Sequence, residues 1–181
     1  MSKPNNQSQQ NNQEQIPEDA NELIAQLQAK LDDIVASGKQ PYPNTFKRTD
    51  YAQDLQTAFE GISKQEIADN DAKGEKTQVN VAGRVMLNRG AFIVIQDMTG
   101  RIQLYVARKE LNEETLADIK SLDLGDIVGV SGYIGRSGKG DLYVHIEEIQ
   151  LLTKALRPMP NKFHGLADVE ARYRNRHLDL M

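Results

Sequence analysis

Apolar residues along the chain recur with two different periods, and the switch between them divides it. After Pro17, Leu23, Leu27, Leu31 and Ile34 recur at helical spacing, with Glu18 and Asp19 suited to a helix start and Gly38 to its C-terminal cap. This predicts an amphipathic helix of about five turns. Gln40-Pro41-Tyr42-Pro43-Asn44 must then run extended, because each proline disfavours helical backbone at the residue before it. Tyr51, Leu55, Ala58 and Phe59 mark a second, short helix after Asp50, and Ser63 with Glu66 three residues on forms a capping box that opens a third.

From Val79 the period becomes two. Val79, Val81, Gly83, Val85 and Leu87 alternate with Asn80, Ala82, Arg84, Met86 and Asn88, the pattern of a half-buried strand. Phe92 to Asp97 reads as a second strand, Met98-Thr99-Gly100 as a turn and Arg101 to Arg108 as a third strand. A helical stretch, Glu113 to Leu122, precedes two more strands, Ile127 to Ile134 and Leu142 to Ile149. Three strands, a helix and two strands is the order of the OB fold, a five-stranded, partly open barrel. An SH3-like barrel is the alternative, but a helix between its third and fourth strands would be unusual. The fold class is therefore α+β, mainly β: a five-stranded OB-fold barrel preceded by N-terminal helices. Four regions are expected, with 1–16 a tail, 17–76 a helical extension, 77–153 the barrel domain, and 154–181 a linker with the start of another domain.

Composition narrows the function. The 181 residues are 39% hydrophobic and 27% charged, with no Cys and no Trp, which excludes a disulfide scaffold, a thiolate metal site and a cysteine nucleophile. It also fits a cytoplasmic protein. The longest apolar run is the five residues Ala91 to Ile95, far short of a membrane span, so no membrane partner is expected. Nine of the eleven residues from 5 to 15 are Asn or Gln, with no aliphatic among them; such a tract cannot offset its ordering entropy and is expected to be disordered. Net charge is −4 overall, yet residues 77–110 hold five basic and two acidic side chains against eight and thirteen in residues 1–76. A local basic stretch inside an acidic chain is either a weak footprint for nucleic acid or a solvated face.

The second and third strands carry the most informative pattern. If their hairpin loop is two residues long, opposed positions sum to an odd number. Ile93, Ile95, Ile102, Leu104 and Val106 then share one face, while Phe92, Val94, Gln96, Arg101, Gln103 and Tyr105 share the other; Arg84 has the parity of this second face. A loop one residue longer or shorter would mix the faces, so the clean segregation favours the even loop. An outward aromatic ring is a platform for base stacking, and a carboxamide can both donate to and accept from one base edge, which suits single-stranded RNA. The plainer reading has Phe92 plugging the barrel end and Gln103 as ordinary surface.

Other motifs carry less. Gly135-Arg136-Ser137-Gly138-Lys139-Gly140 lacks the spacing of a phosphate-binding P-loop and precedes a strand; it reads as a mobile hairpin loop whose Arg136 and Lys139 are free to meet phosphates. His145, His164 and His177 sit in no ligand spacing, and Glu147 and Glu148, adjacent on a strand, should point to opposite faces. No catalytic constellation is visible. After the stiff connector Arg157-Pro158-Met159-Pro160, a helix-like run from Asp168 ends without a stop signal, with Leu166, Val169, Tyr173 and Leu180 in want of a partner surface. This predicts a further domain.

From Leu23 to Met181 the chain resembles the N-terminal region of the bacterial class II lysyl-tRNA synthetases. The resemblance is carried by Tyr42-Pro43-Asn44-Thr45-Phe46, Val81-Ala82-Gly83-Arg84 and Ile102-Gln103-Leu104-Tyr105-Val106. It is most specific in Leu152-Thr153-Lys154-Ala155-Leu156-Arg157-Pro158, Lys162-Phe163-His164-Gly165-Leu166 and Arg172-Tyr173-Arg174, which favour the lysine enzymes over their aspartate and asparagine relatives. It implies that the barrel binds the tRNA(Lys) anticodon loop, with Phe92 and Gln103, eleven residues apart, at the central uridine. It also implies an acidic contact at the start of the fifth strand, where this chain has Asp141 in place of the usual Glu. Arg84 would position the backbone, and Arg89, Arg101, Arg136 and Lys139 would supply diffuse attraction. Relatives commonly have a longer basic segment before the phenylalanine, where this chain has only Asn88-Arg89-Gly90-Ala91. Family members use ATP and magnesium in a C-terminal catalytic domain and are generally homodimers, so the present segment is expected to bind RNA without catalysing ligation. The alternatives are a barrel that tracks single strands without reading bases, and a protein-interaction barrel docking through its N-terminal helix.

Overall fold

A computed structural model describes the backbone from Glu18 to Arg157 and side chains from Asn21 onward. The polar tail and the segment from Pro158 lie outside the described residues. The elements run α1 (Glu18–Ala36), α2 (Ala52–Ala58), α3 (Lys64–Ala72), β1 (Gln78–Asn88), β2 (Phe92–Gln96), β3 (Arg101–Tyr105), α4 (Glu113–Ser121), β4 (Ile127–Arg136) and β5 (Leu142–Thr153). The order is the predicted one. Ser63 opens α3 with the reciprocal capping box, its hydroxyl accepting from the Glu66 N–H while the Glu66 carboxylate accepts from the Ser63 N–H. Asn112 caps α4 by accepting from the Thr115 N–H. Tyr51, read as a helical residue, is instead the extended N-cap of α2.

β1 pairs with β2, β2 with β3, β3 in parallel with β5, and β5 with β4, which returns to β1, so the five strands close a barrel. Closure leaves no free sheet edge. One residue in two points inward and fills the interior: Val79, Val81, Val85, Ile93, Ile95, Ile102, Leu104, Val128, Val130, Ile134, Val144 and Ile146 are each at most 3% exposed. Burial of each such side chain is worth roughly 1.5–3 kcal/mol. Outside the barrel, the strap Tyr42–Phe46 sets the Phe46 ring on Gly129 of β4, where a Cβ would lie 2.6 Å from the ring.

Two bulges depart from strict alternation. The β1 register steps between Val85 and Leu87, so Leu87, expected inward with Val85, is only half-buried. In β5, Glu148 faces Ser131 and Ile146 faces Gly132, leaving Glu147 as the extra residue. Glu147 and Glu148 are consequently both exposed, which corrects the expectation of opposite faces. The α1 stripe also differs: Leu27 is buried, whereas Leu23 is 41% exposed, because that stripe meets a partner surface only from Leu27 onward.

Where the chain leaves β5, charged groups are buried in a knot. Asp126 is fully buried and Lys154 is 3% exposed. The Lys154 ammonium donates to Asp123 (2.6 Å) and Asp126 (2.7 Å), and the N–H groups of Ala155 and Asp123 also donate to Asp126, each at 2.8 Å. Lys30 of α1 completes the knot at Asp123 (2.6 Å). Burial pushes the Asp123 carboxyl up, but the hydrogen bonds and charges of Lys154 and Lys30 outweigh it and hold the group below its ordinary value. Every charge here has its partner, as burial demands.

Candidate nucleic-acid interface

The β2–β3 hairpin has the expected parity. Gln96 pairs with Arg101, Val94 with Gln103 and Phe92 with Tyr105. The Asp97 N–H donates to the Gly100 carbonyl at 2.9 Å, which leaves Met98 and Thr99 as the two-residue tip. Ile93, Ile95, Ile102 and Leu104 are buried inward, while Phe92, Val94, Gln96, Gln103 and Tyr105 are half-buried on the outer face and Arg101 is exposed. Phe92 therefore does not enter the barrel interior. Gln103 is its diagonal neighbour, about 7–8 Å away in such ladders, so one nucleotide can touch both.

The outer face holds more aromatic surface than the hairpin alone supplies. Tyr143 of β5, the parallel partner of Gln103, lies 5.4 Å from Tyr105 and 6.3 Å from Phe92, and Phe92 and Tyr105 are 5.2 Å apart, ring centre to ring centre. Tyr143 can lie flat because its neighbour on β4 is Gly135: a Cβ there would stand 2.5 Å from the ring. Burial, with lesser help from Tyr105, Tyr133 and Asp71, raises the Tyr143 phenol above its ordinary value, so it remains a neutral hydrogen-bond donor. Further round the barrel the His145 ring stacks on Tyr133 at 4.4 Å. Burial and the carboxylates of Glu110, Asp71 and Glu147 raise the Tyr133 phenol. The Lys76 ammonium lies over the outer side of this group, 3.9 Å from the Tyr133 ring centre.

Beside the aromatic group, an open cleft of about 520 Å³ separates the barrel from α2; Gln103, Arg101, Arg136 and Asp141 line it on the barrel side, and Gln56 and Glu60 on the helix side. The carboxamide of Gln103 makes no hydrogen bond among the described residues, so its donor and acceptor are both available. Arg101 donates through Nε to the Gln96 side chain at 2.8 Å and keeps its outer nitrogens free. Asp141 and Glu60 are exposed and join no ion pair among the described residues.

The remaining candidates are dispersed. Arg89, in the β1–β2 loop, is exposed, and its N–H donates to the Phe92 carbonyl, which keeps it next to the aromatic group. Lys139 is exposed in the β4–β5 loop. Arg84 lies on the outer face but its guanidinium donates to the Gly125 carbonyl at 2.9 Å, in a separate cleft with Arg48, Met86 and Met98. Arg136, expected to be free, is not: Nη1 donates to the Gly140 carbonyl (2.5 Å) and Nη2 to the Phe59 carbonyl (2.6 Å). The guanidinium is occupied in joining the β4–β5 loop to the end of α2.

Sequence reasoning missed Tyr143 and the helix side of the cleft. The five-stranded order contains a signal for Tyr143, because parallel β3–β5 pairing puts the start of β5 beside Gln103; nothing local marks Gln56 or Glu60.

Comparison with known proteins fits this geometry. Residues 79–152 match the tRNA anticodon family model, described as an OB-fold nucleic acid binding domain. Over all 181 residues the chain is 98% identical to a lysine–tRNA ligase of Psychrobacter arcticus, covering 35% of that protein. It is 81% identical over 173 residues to one of a Psychrobacter species, covering 34%. To one of Acinetobacter baylyi it is 64% identical over 165 residues, covering 89% of this chain and 32% of the relative. The chain thus spans about a third of the length of the curated relatives it matches.

Proposed function

Because the chain is related along its whole length to lysine–tRNA ligases and carries an OB-fold nucleic acid binding domain, we propose that its outer β2–β3 face reads the anticodon loop of tRNA(Lys). The observation that carries this reading is the unpartnered Gln103 carboxamide on the same outward surface as Phe92. A base unstacked from the loop lies on Phe92, with Tyr105 and Tyr143 widening the platform, while Gln103 pairs with its edge and Asp141 accepts from a base N–H. Arg101, Arg89 and Lys139 attract the phosphates around it. Arg84 stands outside this group, its guanidinium held by the Gly125 carbonyl.

ATP- and magnesium-dependent attachment of lysine then belongs to the remainder of such a ligase, a cytoplasmic homodimer. The 181-residue chain binds RNA and forms no lysyl adenylate, and detectable ATP–pyrophosphate exchange by the purified chain would contradict that assignment.

Fluorescence anisotropy with a lysine anticodon stem-loop and its central-base variants tests the reading. Replacing the central uridine should weaken binding by roughly 1–3 kcal/mol. Equal affinity for all the loops, together with a steep salt dependence, would identify a phosphate-tracking barrel instead.

A further inference from the structure

The cleft that Gln103 faces has a second side, and that side belongs to α2, outside the OB-fold match at residues 79–152. Four contacts fix the helix in place. The Asp97 carboxylate accepts from the Ala52 N–H at 2.8 Å, and the Thr99 hydroxyl accepts from the Gln53 N–H at 3.1 Å. In the middle, the Gln56 side-chain amide donates to the Arg101 carbonyl. At the far end, Arg136 reaches the Phe59 carbonyl while also holding Gly140. Asp97 is suited to this: burial pushes its carboxyl up, but the N–H groups of Ala52, Thr99 and Gly100 and the Thr99 hydroxyl outweigh that and keep it ionised below its ordinary value. Short helices of this kind are marginal alone; α2 keeps its place through the hairpin and the β4–β5 loop.

We propose that α2 is the second wall of the base-reading cleft, that Glu60 at its end is a specificity-determining residue, and that Arg136 is a positioning residue setting the width of the cleft. This rests on the RNA-reading function proposed above. The cleft lining is balanced in charge, with the guanidinium groups of Arg101 and Arg136 set against the carboxylates of Glu60 and Asp141. Those two carboxylates, without ion-pair partners among the described residues, offer acceptors that a base N–H can use and a phosphate cannot. A base edge presenting an N–H between carbonyl groups, as uracil does, satisfies a carboxylate and a carboxamide together. Cytosine presents the acceptor N3 at the middle of that edge and a donor only at its exocyclic N4, so a carboxylate aligned with the middle of the edge meets a lone pair instead of an N–H.

The test uses the 181-residue chain and lysine anticodon stem-loops with uridine or cytidine at the centre. Glu60→Gln alters an exposed side chain without a partner, so the fold is preserved; the preference for uridine should fall roughly fivefold, the size of one hydrogen bond. Arg136→Gln should weaken binding roughly tenfold and speed amide exchange in α2, with the salt slope unchanged, whereas loss of a phosphate contact would lower the slope by about 0.7. Unaltered uridine preference in both Glu60→Gln and Glu60→Ala, in a chain whose wild type discriminates, would overturn the second wall. A reduced slope with normal α2 exchange in Arg136→Gln would overturn the positioning role. A wild type indifferent to the central base would instead overturn the reading on which both depend.

Discussion

Two charged or polar regions of this molecule are built from similar side chains to opposite ends. In the knot at the exit of β5, Lys154, Asp126, Asp123 and Lys30 place each charge against a partner, and the two innermost groups are almost wholly buried. On the outer face, the side chains of Gln103, Asp141 and Glu60 stand around a cleft with no hydrogen-bond or ion-pair partner among the described residues. A buried polar group without a partner costs free energy, so the knot must be internally complete. A half-exposed one keeps water until something displaces it. Completed pairing belongs to the fold, and incomplete pairing on a preformed surface leaves room for a ligand.

The largest expected effect comes from breaking the knot. Asp126→Ala leaves the Lys154 ammonium 3% exposed and short of one partner, which should cost about 3–5 kcal/mol in urea unfolding. RNA affinity measured well below the unfolding midpoint should not change. A parallel loss of affinity would mean that the two regions are not independent. Replacing Lys154 and Asp126 together by Met and Leu should recover only part of the stability: the uncompensated ammonium is gone, but the Ala155 and Asp123 N–H groups still lose their acceptor.

Phe92→Ala should show the reverse pattern. Its ring is half-buried on the outside, so unfolding should shift by less than about 1 kcal/mol, while affinity for the uridine loop falls by about 1–3 kcal/mol. Gln103→Ala comes next: it should mainly erode discrimination between central bases, since its amide has no partner in the fold to lose. Unchanged RNA binding in both variants would remove the distinction drawn between the two regions.

How much of this was legible in the sequence follows from which contacts are local. Alternation within one hairpin fixes that Ile93, Ile95, Ile102 and Leu104 point inward and that Phe92 and Gln103 share the outer face, because adjacent strands with a two-residue tip have only one clean register. The capping box at Ser63 is equally local. Tyr143 is forty residues from its partner Gln103, and its position depends on a parallel pairing that no nearby residue announces. Arg136 looked like a free loop cation because nothing in its neighbourhood of the chain reveals the Phe59 carbonyl, 77 residues away. The same holds for Lys154, whose burial depends on Asp123 and Asp126. The bulge at Glu147 is invisible to a period-two reading, which assumes the alternation it breaks.

The smallest effect separates members of the knot from one another. Lys30 is 45% exposed on its side chain, so Lys30→Ala should cost at most about 1 kcal/mol, and the clearer readout is titration. Asp123 has a folded carboxyl held below 3.8, so its contribution to stability is present above that pH and is lost as pH falls through the lower folded value. Removing Lys30 should move the Asp123 titration, followed by carboxyl carbon NMR, upward toward 3.8, but not to it, because Lys154 remains at 2.6 Å. Asp97 on the hairpin, depressed by neutral N–H and hydroxyl donors rather than by a cation, should titrate where it did before. If Asp97 moved with Asp123, the charges of the knot would be reaching the hairpin that anchors α2, and the outer face could no longer be treated as energetically separate from it.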